Sequence, residues 1–204
     1  MKIAIIDYGM GNIHSVAKAV ALFKAEPVIT NKKNEISFCD KIVLPGVGAF
    51  EDAMAELEKQ DLISLIKDQI KQKKPFLGIC LGMQLLLESS QEAKSSCGLG
   101  IFAGEVVKFS HENGLKIPHM GWNNLKVVSD KCPLLQDVVK DSQVYFCHSY
   151  YSKPADKTVI GATTDYGIEF ASVLWKNNVY ATQFHPEKSQ TVGLKIMRNF
   201  VQLC

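Results

Sequence analysis

The sequence predicts an α/β protein with a mostly parallel central sheet, helices on both faces, and added antiparallel strands in its second half. Three observations lead there. In the first half, a short apolar run, a glycine-bearing turn and an amphipathic segment recur three times, which is how a parallel sheet covered on both faces reads. In the second half, short β-rich runs are separated by Asn113-Gly114, Tyr166-Gly167 and Asn177-Asn178, pairs that favour turns between antiparallel neighbours. No repeat, linker or low-complexity tract breaks the 204 residues, so one domain over residues 1–204 is expected.

Taken in order, Lys2–Asp7 is an apolar strand that ends at Tyr8-Gly9-Met10-Gly11. Asn12 suits a helix N-cap, and Val16, Ala17, Val20, Ala21 and Phe23 give the following helix its stripe. Pro27–Thr30 and Lys41–Leu44 read as strands, the second leading into Pro45-Gly46-Val47-Gly48. Helical patterns cover Phe50–Leu57 and Asp61–Lys73, the latter ending in the basic run Lys71, Lys73, Lys74, where cations suit the helix dipole. The next strand and helix come from Phe76–Leu87. After it the β-rich runs are Glu105–Phe109, Asn124–Val128, Val144–Cys147, Val159–Thr164, Ser172–Trp175 and Val179–Gln183, and Val192–Val201 closes as a helix. In open parallel sheets chemistry collects at the carboxyl ends of the strands. Gly9–Asn12, Gly46–Gly48 and Cys80 would share that edge.

Composition excludes several classes. A hydrophobic fraction of 47% is ordinary for a globular protein, and a net charge of +2 points to neither nucleic acid nor an acidic membrane surface. Met1–Asp7 is too short and too soon interrupted by charge for a signal peptide, and no apolar run reaches membrane-spanning length. The six cysteines are scattered, with no C-x-x-C or H-E-x-x-H spacing, so neither a metal site nor a disulfide framework is suggested. A reducing cytoplasm is the expected compartment.

The chemistry centres on Gly78-Ile79-Cys80-Leu81-Gly82, where a strand gives way to Met83, Leu86 and Leu87 at helical spacing. This is the pattern of a nucleophile elbow with Cys in place of Ser. The sharp turn leaves no room for side chains beside the nucleophile, and the helix start behind it favours thiolate over thiol. A small buried apolar residue is the other reading of Cys80. A thiolate needs a base. Of five histidines, His185 is the best placed, in Gln183-Phe184-His185-Pro186-Glu187. Pro186 pushes His185 toward an extended conformation, and residues two apart on extended chain point the same way, so Glu187 can reach the imidazole. A carboxylate on one ring nitrogen leaves the other facing the thiol. A solvated His ahead of an acidic helix start is the alternative. His14, on the first helix, and His111, in a polar loop, read as structural.

Gly78–Gln84 together with Gln183–Glu187 resembles the triad glutamine amidotransferases. Three further strings, Asp7–Asn12, Pro45–Phe50 and Pro118–Asn123, narrow the resemblance to the glutaminase subunits of imidazole glycerol phosphate synthases, over nearly the whole chain. It implies a flavodoxin-like amidotransferase sheet, no cofactor and no metal. It also implies that Cys80 attacks the side-chain amide of glutamine, and that His185, oriented by Glu187, moves the protons. Leu81, with Val47 and Gly48, would supply the oxyanion donors. Gln84, Ser149, Tyr150 and Glu92 would hold the substrate. The implied partner is a (β/α)₈-barrel synthase subunit, in a heterodimer, that takes the ammonia to make imidazole glycerol phosphate and aminoimidazole carboxamide ribotide in histidine biosynthesis. Asn12, Trp122, Tyr145 and Lys188 match positions facing that partner. Asn12 also suits an N-cap, Trp122 and Tyr145 core aromatics, and Lys188 a solvated charge. His119 is expected on a loop with Trp122, and His148 in the core or at the site's edge. Because glycine permits a peptide flip, the Val47–Gly48 peptide is expected to turn its N–H inward only when the partner binds. Two alternatives keep the fold: a paralogue feeding ammonia to a sugar-modifying amidotransferase, and a catalytically silent binding subunit. Another elbow-type cysteine hydrolase does not suit the Pro118–Asn123 string.

Overall fold

The structure, a computed structural model, describes residues 1–110 and 115–204, so His111 and the Asn113-Gly114 turn lie outside the described residues. In chain order its elements begin β1 (Lys2–Ile6), α1 (Ile13–Ala21), β2 (Glu26–Thr30), α2 (Lys33–Phe38), β3 (Lys41–Gly46), α3 (Phe50–Lys59), α4 (Ile63–Lys71), β4 (Phe76–Cys80) and α5 (Leu81–Gln84). They continue with β5 (Ser89–Ser90), β6 (Gly104–Lys108), β7 (His119–Val127), β8 (Ser142–His148), β9 (Tyr150–Pro154), β10 (Ile160–Asp165), β11 (Glu169–Lys176), β12 (Val179–Thr182) and α6 (Gln190–Leu203).

The α/β architecture is as the sequence predicts. At the centre β2, β1, β3, β4 and β12 run parallel in that order. Beyond β12 the sheet continues antiparallel through β11, β10, β7 and β8, while β9 joins β5 and β6 to β11. The inner parallel strands β1, β3 and β4 are apolar on both faces because both are covered. Ile3, Ile5, Val43, Leu77 and Ile79 pack with Val16, Val20, Ile196, Met197 and Phe200 of α1 and α6. Their neighbours Ala4, Ile6, Ile42, Leu44 and Phe76 pack with Ile36, Phe50, Ala53, Leu57 and Ile66 of α2, α3 and α4. The period-two alternation of a strand thus divides one sequence between two cores. No helix among the described residues is long and apolar enough to cross a membrane.

Four local expectations change. Asn12 occupies the N-cap position of α1 but its side chain makes no capping hydrogen bond. The helix after Cys80 stops at Gln84 rather than running to Leu87. The carbonyls of Leu85, Leu86 and Leu87 are instead taken by the amides of Leu99, Ile101, Phe102 and Gly100, at 2.8–3.1 Å. His119 and Trp122 lie on β7, not on a loop, because Pro118–Asn123 extends the expected strand toward the amino terminus and pairs with β8, Trp122 opposite Tyr145. Trp122 is 44% exposed, so it is no core aromatic.

Register then fixes the edge where chemistry collects. On one side of β4, Gly46 pairs with Cys80; on the other, Thr182 pairs with Ile79, which brings Gln183 level with Cys80. The turn out of β4 leaves no space for side chains: a Cβ on Gly82 would stand 1.9 Å from the Leu44 carbonyl oxygen. Gly82→Ala is expected to cost about 3 kcal/mol from overpacking, a fall of about 6–12 °C in melting temperature for a chain of this size. Thermal unfolding by circular dichroism checks this, and an unchanged midpoint would contradict the packing.

Candidate active site

Cys80 ends β4 with φ 54° and ψ −108°, a region that L-residues avoid and that persists only where the surroundings enforce it. The next residue, Leu81, is the first of α5, so its amide has no acceptor within the helix. Cys80 is buried, yet it lines a cavity of about 310 Å³ together with Val47, Gly48, Leu81, Gln84 and Glu92. Pro118, Cys147, His148, Ser149, Tyr150, His185 and Lys188 complete its lining. A larger cavity, about 720 Å³, lies away from this edge, around Pro75, Asn178 and Val179 where β4 and β12 begin, and holds none of these residues.

His185, the expected base, lines the cavity with Cys80. Its Nδ1 donates to Glu187 Oε1 at 2.9 Å, which leaves Nε2 free of the carboxylate. The route differs from the extended chain expected: His185 is extended, but Pro186–Lys188 forms a single 3₁₀ turn that swings Glu187 back under the ring. Both side chains are shielded from water, at 4% and 1% exposure. Burial opposes the imidazolium, but the bonds to Cys80 and Glu187 outweigh it and push His185 up to about 10. The backbone is anchored as well. His185 N donates to the Tyr145 carbonyl at 3.0 Å, and the Ser189 hydroxyl bridges the His185 carbonyl and the Tyr145 amide at 2.7 and 2.9 Å.

The remaining expected residues fall into two groups. Gly48, at φ +99°, and Val47 border the same cavity as His185. Gln84 Nε2 donates to the Tyr150 carbonyl at 2.9 Å, and the Glu92 carboxylate accepts from Phe50 N at 2.8 Å, so it also holds the start of α3. Trp122 and Tyr145 meet edge to face at 6.1 Å, and Lys188 Nζ lies 6.0 Å from the Tyr145 ring. Asn12 stands apart from these three, at the start of α1, which packs against the turn carrying Lys188.

Two features go beyond the sequence reading. His148, expected in the core or at the site's edge, lines the cavity and belongs to a buried hydrogen-bonded chain. Its Nδ1 donates to the Tyr150 carbonyl at 2.7 Å, its Nε2 meets His119 Nδ1 at 3.0 Å, and His119 Nε2 meets Asn123 Nδ2 at 3.3 Å. A carbonyl at one end and an amide donor at the other fix both tautomers as neutral. Burial first pushes His148 down to about 3, against the pull of the Tyr150 carbonyl, and pushes His119 down to about 4. The second feature is Gln183, fully buried beside Cys80. Its signal lay in the spacing, since Gln183 and His185 are two apart at the end of a strand. Among the described residues no group of three or more His, Cys, Asp and Glu side chains is placed to share a metal ion.

Residues 4–203 match the family model of class-I glutamine amidotransferases. The chain is 50% identical over 202 residues to imidazole glycerol phosphate synthase subunit HisH of Thermosynechococcus vestitus, covering 98% of this chain and 96% of that protein. It is also 50% identical over 203 residues to the HisH subunit of Methanocaldococcus jannaschii, covering 98% and 99%. Among solved structures, PurLQS from Thermotoga maritima matches with a TM-score of 0.76 at 17% identity, covering 98% of this chain and 97% of that one. A crystal structure of a glutamine amidotransferase matches with a TM-score of 0.76 at 15% identity, covering 98% and 96%. At such identities these two likenesses concern the fold.

The raised His185 carries a consequence for stability. Its folded value of about 10 exceeds the unfolded value of about 6.5. The stabilisation is therefore complete below about pH 6.5 and drains away as pH rises toward 10. Urea unfolding of wild type and His185→Asn is expected to show a stability gap that narrows steadily between pH 7 and 10. A gap constant over that range would contradict the ion-paired arrangement.

Proposed function

The chain belongs to the class-I glutamine amidotransferase family, and from that premise we propose that it is the glutaminase subunit of an imidazole glycerol phosphate synthase, with Cys80, His185 and Glu187 as its triad. One observation carries the catalytic assignment: a cysteine at a strained strand-to-helix turn shares one cavity with a buried imidazole that is itself held by a carboxylate at 2.9 Å. The whole of residues 1–204 serves as one amidotransferase domain in this reading.

The Cys80 thiolate attacks the side-chain carbonyl carbon of glutamine, and the π electrons move to oxygen. The amides of Leu81 and of the Val47–Gly48 peptide receive the oxyanion; one such donor is typically worth a hundredfold or more in rate. His185 gives its Nε2 proton to the amide nitrogen, the C–N bond breaks and ammonia leaves. It then takes a proton from water, which attacks the thioester, releases glutamate and restores the thiolate. Glu187 keeps the ring's tautomer and balances its charge. Gln84, Ser149, Tyr150 and Glu92 bound the substrate's end of the cavity.

Ammonia released into bulk water at neutral pH becomes ammonium and ceases to be a nucleophile, so a partner has to receive it directly. The partner we propose is a (β/α)₈-barrel synthase subunit, docked over Trp122, Tyr145 and Lys188 with Asn12 at the margin, which uses the ammonia in histidine biosynthesis. Met120 and Trp122, 61% and 44% exposed on β7, give that face the apolar and aromatic character of an interface core. Docking there would bear on Val47 and Gly48, and we propose that it turns their peptide N–H into the cavity. Cytoplasmic residence accompanies this role.

Cys80→Ala is expected to abolish glutamate release from glutamine, measured with the synthase subunit present; retained release would remove the nucleophile from the account. In wild type, turnover is expected to rise at least tenfold when the synthase subunit and its nucleotide ligand are added. Equal turnover in both conditions would reject the peptide switch. Trp122→Ala is expected to weaken synthase binding about tenfold or more by calorimetry, and an unchanged affinity would displace the interface.

A further inference from the structure

Cys80 Sγ has among its polar neighbours the Cys147 carbonyl at 4.0 Å, which can only accept, and a side-chain amide that can donate. Gln183 Nε2 lies 3.9 Å from Cys80 Sγ, within hydrogen-bonding range for sulfur, and the Gln183 side chain is wholly buried. Its orientation is dictated by a chain of donors that begins at a group which can only accept. The Tyr150 carbonyl accepts a hydrogen bond from Gln84 Nε2 at 2.9 Å, which fixes the Gln84 amide. The same Gln84 nitrogen donates to Gln183 Oε1 at 3.2 Å, which fixes the Gln183 amide in turn. That leaves the Gln183 –NH₂ aimed at sulfur. The backbone is equally constrained: Gln183 N donates to the Ser172 carbonyl at 2.9 Å, and parallel pairing of β12 with β4 sets the residue level with Cys80.

We propose that Gln183 is a further catalytic residue, whose amide N–H donates to the Cys80 thiolate and holds it in the attacking position. This deepens the glutaminase reading and rests on it. His185 must release the sulfur when it carries its proton to the leaving nitrogen, whereas Gln183 has no proton to transfer. Its hydrogen bond therefore stays with sulfur whenever the thiolate is free: before attack and after thioester hydrolysis. A neutral donor does this without competing with His185 for the proton. A hydrogen bond to a charged partner is the stronger kind, and burial makes its loss costly. Gln84, which borders the substrate cavity, gains a second duty as the group that orients Gln183.

The test follows Cys80 alkylation by iodoacetamide from pH 6 to 10 in the full chain, resolved by peptide mass spectrometry, with the exposed Cys97 as internal reference. Gln183→Met keeps the length of the side chain and removes the donor; Gln183→Glu keeps the shape and places an acceptor there. In Gln183→Met, Cys80 alkylation at pH 7 is expected to slow roughly tenfold relative to Cys97, with the rate recovering at higher pH. In Gln183→Glu it slows further. Glutaminase kcat falls in parallel, with KM for glutamine little changed. If either variant melts far below wild type, the other provides the reading. A wild-type Cys80 more reactive than Cys97, with a pH profile that both variants leave unmoved, would overturn the role of Gln183 alone. A wild-type Cys80 no more reactive than Cys97 at any pH would overturn the functional reading beneath it.

Discussion

In β3, β4 and β12 the parallel register sets Gly46, Cys80 and Gln183 abreast at the carboxyl edge of the sheet, and the chemistry of the molecule hangs on that alignment. β4 is flanked by strands of the same direction, so its end cannot spread sideways. The chain must leave sharply, and Cys80 absorbs the turn at φ 54°. Two packed cores, one on each face, hold the strain in place. The thiol borders a cavity that is also lined by the loop after β3 and by the chain after β12.

The antiparallel half serves the same edge by another means. β8 supplies no triad member, but its Tyr145 carbonyl accepts from the His185 amide, and Ser189 ties the two segments together a second time. The face bearing Trp122, Tyr145 and Lys188 is therefore bonded directly to the backbone of the proposed base. From the same strand pair, His119 and His148 form a neutral hydrogen-bonded chain that ends on the Tyr150 carbonyl, where Gln84 also donates. A rearrangement of β7 and β8 would reach the nucleophile's surroundings through bonds rather than through space.

Most of the parallel half was legible because β1, β3 and β4 are buried on both faces and so stand out as apolar runs that end at or near a glycine. Elements without that contrast were not. α2 buries only Ile36 and leaves Phe38 86% exposed, so no stripe marks it. The first half of β7 reverses the usual alternation: Met120 and Trp122 face outward, while His119 is buried among Phe109, Phe146, Tyr166 and Phe170. Polar residues inside and apolar residues outside do not read as a strand. The short α5 depends on carbonyls captured by a loop more than a dozen residues further on, which no local propensity records. In the site, the grouping of Cys80, His185 and Glu187 was legible because each stands in a string whose spacing suggests a chemistry. Gln183 stands in the same string as His185 and Glu187, but its meaning depends on Gln84 and Tyr150, brought to it only by the fold.

The central claim is that one buried sulfur, served by His185, is a nucleophile in a cavity made for glutamine. It is tested most directly by treating the full chain with a diazo ketone that carries the amino-acid head of glutamine, then mapping adducts by mass spectrometry. The account predicts one adduct, on Cys80, formed faster with the synthase subunit present and suppressed by excess glutamine. No adduct on Cys80, or labelling of Cys97 that glutamine does not suppress, would contradict it.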